Sequence, residues 1–274
     1  MLTRLKYLFV LPFLFLAYWA ISWGMADAFS YRVVRAESEW LARGNVPSLD
    51  AWNQARESIE SAIFLNTFNP NYPETMGRLY IWRLYVKGAP IGSFEEHQKF
   101  LSEGIGHMRS SIEKRPTWPL AWATLLEMKS LGGVLDGEYW LAWDSTVALG
   151  PWDRASQIKL MESGLIHWEA FGQEQQKKVI DVFVRMLAKP ETGSEGILIA
   201  NEFGALPLFC DVVSAESATD LLKENCAKLI ETIGDDALAE PLPVDGSSPI
   251  NPEPPVSNSP PSSVENNSLL LIKP

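Results

Sequence analysis

The chain has 274 residues, a formal net charge of −11 at pH 7 and 46% hydrophobic residues. This length and apolar content allow one or two ordinary domains with a buried core. The negative charge repels the phosphates of nucleic acids and the headgroups of anionic lipids, so nucleic acid is excluded as an expected partner.

An uncharged apolar segment runs from Tyr7 to Ala26, after the basic residues Arg4 and Lys6. A helix needs about 20 apolar residues to cross a bilayer, so the sequence predicts a transmembrane anchor over residues 1–26. A cleaved signal peptide is the alternative, because Ala26-Asp27-Ala28 has the small-x-small form of a cleavage site. A third alternative, a buried core helix, does not fit a run that lacks a polar face.

From residue 27 to residue 237 the apolar residues recur at helical spacing, and no alternating strand pattern occurs. The sequence therefore predicts one all-α domain over 27–237. The expected helices cover about 27–43, 49–67, 73–82, 93–114, 118–132, 136–149, 152–170, 173–188, 193–204 and 215–233. Three N-caps are expected: Ser93, paired with Glu96 in a capping box, Asp136 and Ser214.

The helices are punctuated by prolines, and Pro116 and Pro151 are separated by about one tetratricopeptide unit, which has about 34 residues. A single helical hairpin cannot bury both of its faces, so successive hairpins stack. The small residues Ala62, Ala121 and Ala148 are expected where helices approach closely. We predict stacked helical hairpins, a tetratricopeptide-like α-solenoid, with an irregular α-bundle as the alternative.

Residues 238–274 are rich in Pro, Ser and Asn and contain few large apolar residues. Such a segment buries too little surface to offset the entropy of ordering, so it is expected to be a disordered tail.

The chain has two cysteines, Cys210 and Cys226. An even pair in an exported body predicts one disulfide, and the alternative is two buried thiols.

Catalytic motifs are not found in the sequence. His97, His107 and His167 lack metal-ligand spacing, and no glycine-rich phosphate loop or nucleophile elbow occurs. The adjacent pair Glu95-Glu96 points in different directions on a helix, so it does not form facing carboxylates. We therefore expect a non-enzyme without cofactor or metal.

Five of the 11 tryptophans fall within a short central stretch. They are Trp118, Trp122, Trp140, Trp143 and Trp152. Large rings at helical spacing pack between hairpins, or they form an aromatic surface for a sugar or a protein partner. Both interpretations remain open for the sequence alone.

The same stretch contains RPTWPLAW (115–122) and ALGPW (148–152), and SIESAIFLNTFNPNYPE lies upstream (58–74). Together these segments resemble the VpsP-type exopolysaccharide biosynthesis proteins of Gram-negative bacteria, over about half of the chain. The resemblance implies an accessory role in making or exporting a capsule or biofilm polysaccharide, and it implies no catalytic residue.

On this basis the expected protein is a non-catalytic scaffold, anchored in the inner membrane by one span. Arg4 and Lys6 favour a cytoplasmic N-terminus and a periplasmic body, although Arg32 and Arg35 follow the span closely. Its expected partners are a polysaccharide polymerase, a chain-length regulator or an export protein, with direct polysaccharide contact as a further option. The alternatives are a binding or chaperone module of another envelope system, and a glycan-modifying enzyme.

Overall fold

The computed structural model describes residues 2–44, 46–86 and 91–215. Within these residues the chain is all helical, as predicted, with ten α-helices and no β-strand. The helices are α1 (Leu2–Arg43), α2 (Leu49–Leu65), α3 (Asn71–Leu84), α4 (Phe94–Lys114), α5 (Pro119–Leu131), α6 (Gly137–Leu149), α7 (Arg154–Ile166), α8 (Gln173–Leu187), α9 (Pro190–Glu202) and α10 (Leu206–Ala215). A short 3₁₀ helix, Trp168–Ala170, follows α7.

The described residues divide into two compact units, one up to Gly133 and one from Val134 onward. Unit 1 contains α1 to α5, and unit 2 contains α6 to α10. The predicted tail, 238–274, lies outside the described residues, and the predicted single domain over 27–237 extends beyond them. Both stay predictions.

In unit 1 each helix packs against the next along the chain. The α1–α2 pair is antiparallel, because Ser22 near the middle of α1 donates a hydrogen bond to the carbonyl of Leu65 at the end of α2. The first turn of α3 returns to α1, where the Tyr72 hydroxyl meets Asp27. The α4 helix then runs antiparallel to α3, with Arg115 after its end bonded to Glu74.

The core of unit 1 lies between these helices. Trp52 of α2 is buried and donates its indole N–H to the carbonyl of Leu79 in α3, at 2.6 Å. The buried ring contributes apolar area, and its hydrogen bond sets how α2 is aligned along α3. Other fully buried members of this core are Ile59, Met76, Met108, Leu125 and Leu126.

In unit 2 the helices again pack in chain order, and α7 also contacts α9. The 3₁₀ helix reverses the chain between α7 and α8. The largest fully buried side chains of this unit are Tyr139, Trp143, Phe183 and Phe209. Gly164 allows α7 to lie close to α8, since a β-carbon at Gly164 would lie 2.6 Å from Val179 of α8.

Two of the predicted N-caps are confirmed. Ser93 accepts a hydrogen bond from the amide of Glu96 at 3.1 Å, and Asp136 accepts one from Tyr139 at 3.0 Å. The capping box is modified, because the Glu96 carboxylate accepts from the amide of Gly92. The third predicted cap is wrong, since Ser214 lies inside α10.

The helix α10 was not predicted. Its residues Leu206, Phe209 and Cys210 are buried at helical spacing, while Pro207 occupies the first turn, where a missing N–H costs nothing. The helix predicted over 215–233 lies almost entirely outside the described residues. The helix predicted over 152–170 is shorter, because Asp153 caps α7 and the helix ends at Ile166.

Three turns in the chain share one geometry. The C-cap residues Asn66, Arg115 and Gly150 have φ near −140° and positive ψ, and each donates its amide to a carbonyl four residues earlier. Those acceptor residues, Ala62, Ser111 and Thr146, are fully buried. Ala62 and Ala121 are buried as predicted, whereas Ala148 is exposed and Thr146 occupies the buried position of its turn.

Candidate functional site

Two of the five candidate tryptophans belong to unit 1. Trp118 is the N-cap of α5 and is 40% exposed, with the Arg115 guanidinium 4.3 Å from the ring centroid. Trp122 is half-buried and donates its indole N–H to the carbonyl of Pro116 at 2.8 Å. Trp122 therefore stabilises the α4–α5 turn. Trp118 is partly exposed to solvent, with one cation stacked over its ring.

The other three candidates belong to unit 2. Trp143 is buried and is a core residue, and Trp140 is half-buried against Phe171 with the Lys178 ammonium 5.6 Å away. Trp152 is 51% exposed, with Lys189 at 5.0 Å. The five rings are thus not one stripe: Trp143 packs in the core, while Trp118 and Trp152 each remain open at a turn.

The predicted disulfide joins Cys210, which is buried in α10, to Cys226. Cys226 lies outside the described residues, and the pairing stays a prediction.

A cleft of about 440 Å³ lies between α1 and the start of α3. Its walls include Asp27, Ser30, Tyr31, Asn69, Asn71 and Tyr72. The Tyr72 hydroxyl donates to Asp27 at 2.5 Å, and burial together with this carboxylate raises the pKa of Tyr72 to about 12. Tyr72 is consequently neutral throughout the physiological range and acts as a fixed hydrogen-bond donor.

The cleft continues into a network of four charged side chains that joins three helices. Arg78 of α3 bonds Glu37 of α1 at 2.9 Å and Glu74 at 3.4 Å, and Arg115 bonds Glu74 at 2.8 Å. Both carboxylates are almost fully buried. Burial by itself lowers the pKa of Arg78, but the facing carboxylates of Glu37 and Glu74 more than offset this and raise it.

This network has a structural role, because a buried carboxylate must be paired to be tolerated in the interior. It was missed in the sequence because its members are distant along the chain and no local motif connects them. Among the described residues, no group of three or more His, Cys, Asp or Glu side chains is placed to hold a metal ion.

The apolar half of α1 forms a separate feature of unit 1. Residues 10–21 are almost all exposed and uncharged, and α1 is long and apolar enough to span a membrane. From Ser22 onward one face of the same helix is packed, with Ala26, Ser30, Val33 and Glu37 all buried. The apolar half thus projects from one end of unit 1, which we call the anchor end.

The anchor end contains two turns of the body, α2–α3 (residues 66–70) and α4–α5 (residues 115–118). The first lies there because Leu65 is bonded to Ser22, and the second because Arg115 is bonded to Glu74 in the first turn of α3. Phe64 and Phe68 beside the first turn are 84% and 72% exposed. The periodicity of α2 did not single them out, and the signal that could have found them is the uncharged stretch from Ser61 to Pro73.

Comparison with models of known protein families gives no match for this chain, and comparison with curated proteins gives none either.

Proposed function

We propose that this protein is a non-catalytic, membrane-anchored accessory protein of bacterial exopolysaccharide biosynthesis or export. It acts by protein–protein interaction, with a cytoplasmic N-terminus and a periplasmic body at the inner membrane. The observation that carries the proposal is the continuity of α1. One uninterrupted helix includes both the exposed apolar segment and the packed face of the body.

This continuity supports a scaffold role for a physical reason. A flexible linker would let the body sample a large volume, whereas a helix packed along its length fixes the height of the body above the membrane. Three contacts bind the body to α1 at successive levels: Ser22 with Leu65, Asp27 with Tyr72 and Glu37 with Arg78. A body held in this way can present one surface to membrane machinery continuously.

The interaction role is supported by the stacked helices. The three turns of shared geometry at Asn66, Arg115 and Gly150 fit repeated helical hairpins, and we propose a tetratricopeptide-like stack on this basis. Such stacks bind partners through extended surfaces that the hairpins create together. Trp118 and Trp152, open beside a cation at two of these turns, are the side chains best suited to anchor a partner.

The link to polysaccharide depends on the resemblance to VpsP-type proteins. The two most specific segments, 115–122 and 148–152, coincide with two of the three similar turns and include both open tryptophans. The resemblance therefore includes surface turns as well as buried helical positions. Surface turns are the places where binding to a shared partner would constrain the residues.

The proposal is tested by a clean deletion in the source bacterium, with measurement of polysaccharide amount, chain length and surface display. We expect all three to fall or change, and to recover with the full chain. Unchanged polysaccharide would overturn the proposal. Complementation with Trp118→Ala should restore less polysaccharide than complementation with Phe94→Ala, a matched loss of an exposed ring at the start of α4.

In vivo crosslinking followed by affinity capture then identifies the partner class. We expect a polymerase, a chain-length regulator or an export component of polysaccharide assembly. Recovery of another envelope system alone would favour a binding or chaperone module of that system and would contradict the proposal.

A further inference from the structure

The anchor end of unit 1 exposes apolar side chains in an uncharged segment. From Ser61 to Pro73 the chain contains no Asp, Glu, Lys or Arg, and Phe64 and Phe68 protrude from it. Each phenylalanine exposes a large apolar area. Exposed apolar side chains that lie close together mark a site of contact with a partner or a membrane.

The vertical position of this segment follows from its contacts with α1. A span that begins at Tyr7 crosses a hydrocarbon core of about 30 Å in about 20 residues, which places the far edge of the core near Ala26. Leu65 is bonded to Ser22, which lies roughly 6 Å before that edge. The α2–α3 turn therefore lies at the level where the bilayer ends.

On each of three helices, the charged residue nearest to the uncharged segment lies at the same level. On α1 the first charge after Lys6 is Asp27, which meets Tyr72 in the first turn of α3. On α2 the last charge is Glu60, which lines one shallow groove with Met25 and Phe29 of α1. On α3 the first charge is Glu74, two residues after Tyr72. Between Lys6 and this plane α1 is uncharged, and the parts of α2 and α3 on the same side of the plane, with the turn between them, contain no charge.

The turn is also suited to an apolar environment. Two backbone amides have side-chain partners within the turn: the amide of Phe68 donates to the Asn66 side chain at 3.1 Å, and the amide of Asn71 donates to the Asn69 side chain at 3.0 Å. Unsatisfied backbone groups are costly near lipid, and the turn bonds these two amides locally.

We propose that the α2–α3 turn enters the interfacial layer of the bilayer that α1 spans, with Phe64 and Phe68 among the lipid headgroups and upper acyl chains. The partner of this surface is lipid, because the surface is continuous with the exposed apolar half of α1 and contains no charge that a protein partner could recognise. The inference depends on the anchoring role given under the proposed function. A second contact at the membrane stops unit 1 from pivoting on α1.

The test is spin-label depth measurement on the full-length chain in lipid nanodiscs. A nitroxide is attached at Phe68→Cys, at Leu14→Cys in the middle of the apolar half of α1, and at Phe94→Cys. Phe94 is the matched control, since it is 74% exposed and lies at the start of α4, at the end of unit 1 opposite to the anchor end. Unmutated chain gives the background labelling.

At positions 14 and 68 we expect collisions with oxygen to exceed collisions with a water-soluble nickel complex, and at position 94 we expect the reverse. A lipid signal at 14 with an aqueous signal at 68 would overturn the inference and leave the anchor intact. An aqueous signal at 14 would overturn both. A lipid signal at both 68 and 94 would also overturn the inference, because contact would not be specific to the anchor end. If Phe68→Cys does not fold, Phe64→Cys replaces it under the same criteria.

Discussion

At the scale of single residues, close helix packing depends on positions where no side chain fits. Gly104 and Gly106 are two residues apart on α4, but they face different surroundings. A β-carbon at position 104 would lie 2.8 Å from the Cβ of Tyr80 and 2.9 Å from the terminal methyl of Met128, whereas one at 106 meets nothing within 4 Å. Of these two glycines of α4, only Gly104 is required by the packing of α4 against α3 and α5.

Gly104→Ala should destabilise unit 1, because the backbones of α3 and α4 must move apart. We expect a loss of about 1–3 kcal/mol in the free energy of unfolding, which is typical of overpacking. Gly106→Ala should raise stability by about 0.5–1 kcal/mol, since alanine loses less backbone entropy in a helix. Urea unfolding of both variants followed by circular dichroism is the measurement, and equal effects would contradict the packing.

His107 provides a pH-dependent contribution to stability. Its ring stacks on Tyr80 with centroids 5.7 Å apart. Burial lowers the pKa of His107, and the carboxylates of Glu103 and Glu60 only partly counter this effect. The unfolded chain therefore binds a proton more readily than the folded chain below about pH 6.5.

Stability should consequently be complete above about pH 6.5 and should fall as the pH drops from there towards the lowered pKa of His107. His107→Asn should lose less stability than the unmutated chain between pH 7.5 and pH 5.5, as measured by urea unfolding at both values. An identical pH response of the unmutated chain and His107→Asn would contradict the assigned cause.

At the scale of elements, α1 is the unusual helix, because its two halves have different surroundings. Residues 10–21 are uncharged and almost all exposed. The second half of the helix is amphipathic, with Val33 and Glu37 buried and the Arg35–Glu39 ion pair on its outer side. The second half completes the core of unit 1 as any body helix does. The anchor is therefore the extension of a core helix.

This arrangement predicts different results for two truncations. Removal of residues 2–21 keeps Ser22, Asp27 and Glu37, and the body should stay folded and unfold cooperatively. Removal of residues 2–38 leaves Arg78 without Glu37 and uncovers the faces of α2 and α3. It should cost about 3 kcal/mol or more from the broken charge pair alone, and exposed apolar surface should cause aggregation. Thermal unfolding and size-exclusion chromatography distinguish these outcomes, and equal stability of the two variants would contradict a structural role for the second half of α1.

At the scale of the whole molecule, the two alternatives for the N-terminus differ in what the body retains. Cleavage after Ala28 would remove the Ser22–Leu65 and Asp27–Tyr72 hydrogen bonds and the buried Ala26. A retained segment keeps these contacts, and a cleaved segment loses them.

Intact-mass measurement on protein from the membrane fraction should find the N-terminal residues present. A mature chain beginning at Phe29 would contradict both the anchor and the lipid contact inferred for the α2–α3 turn. Absence of the protein from carbonate-washed membranes would be equally decisive.

The sequence by itself determined the helical class and most helix ends, because these depend on local signals. Apolar spacing, prolines and capping side chains act within a few residues, and they identified α1, the cap at Ser93 and the cap at Asp136. The α10 helix was missed, since Pro207 was not recognised as a first-turn residue.

Only the tertiary structure decided which side chains are core and which are open. The sequence alone does not distinguish Trp143 from Trp152, yet Trp143 is buried and Trp152 lies beside Lys189 at a turn. The Glu37–Arg78–Glu74–Arg115 network and the level of Phe64 and Phe68 relative to α1 also depend on contacts between residues about 40 positions apart. Spacing along one helix defines a face, but the element that covers that face is set by the path of the whole chain.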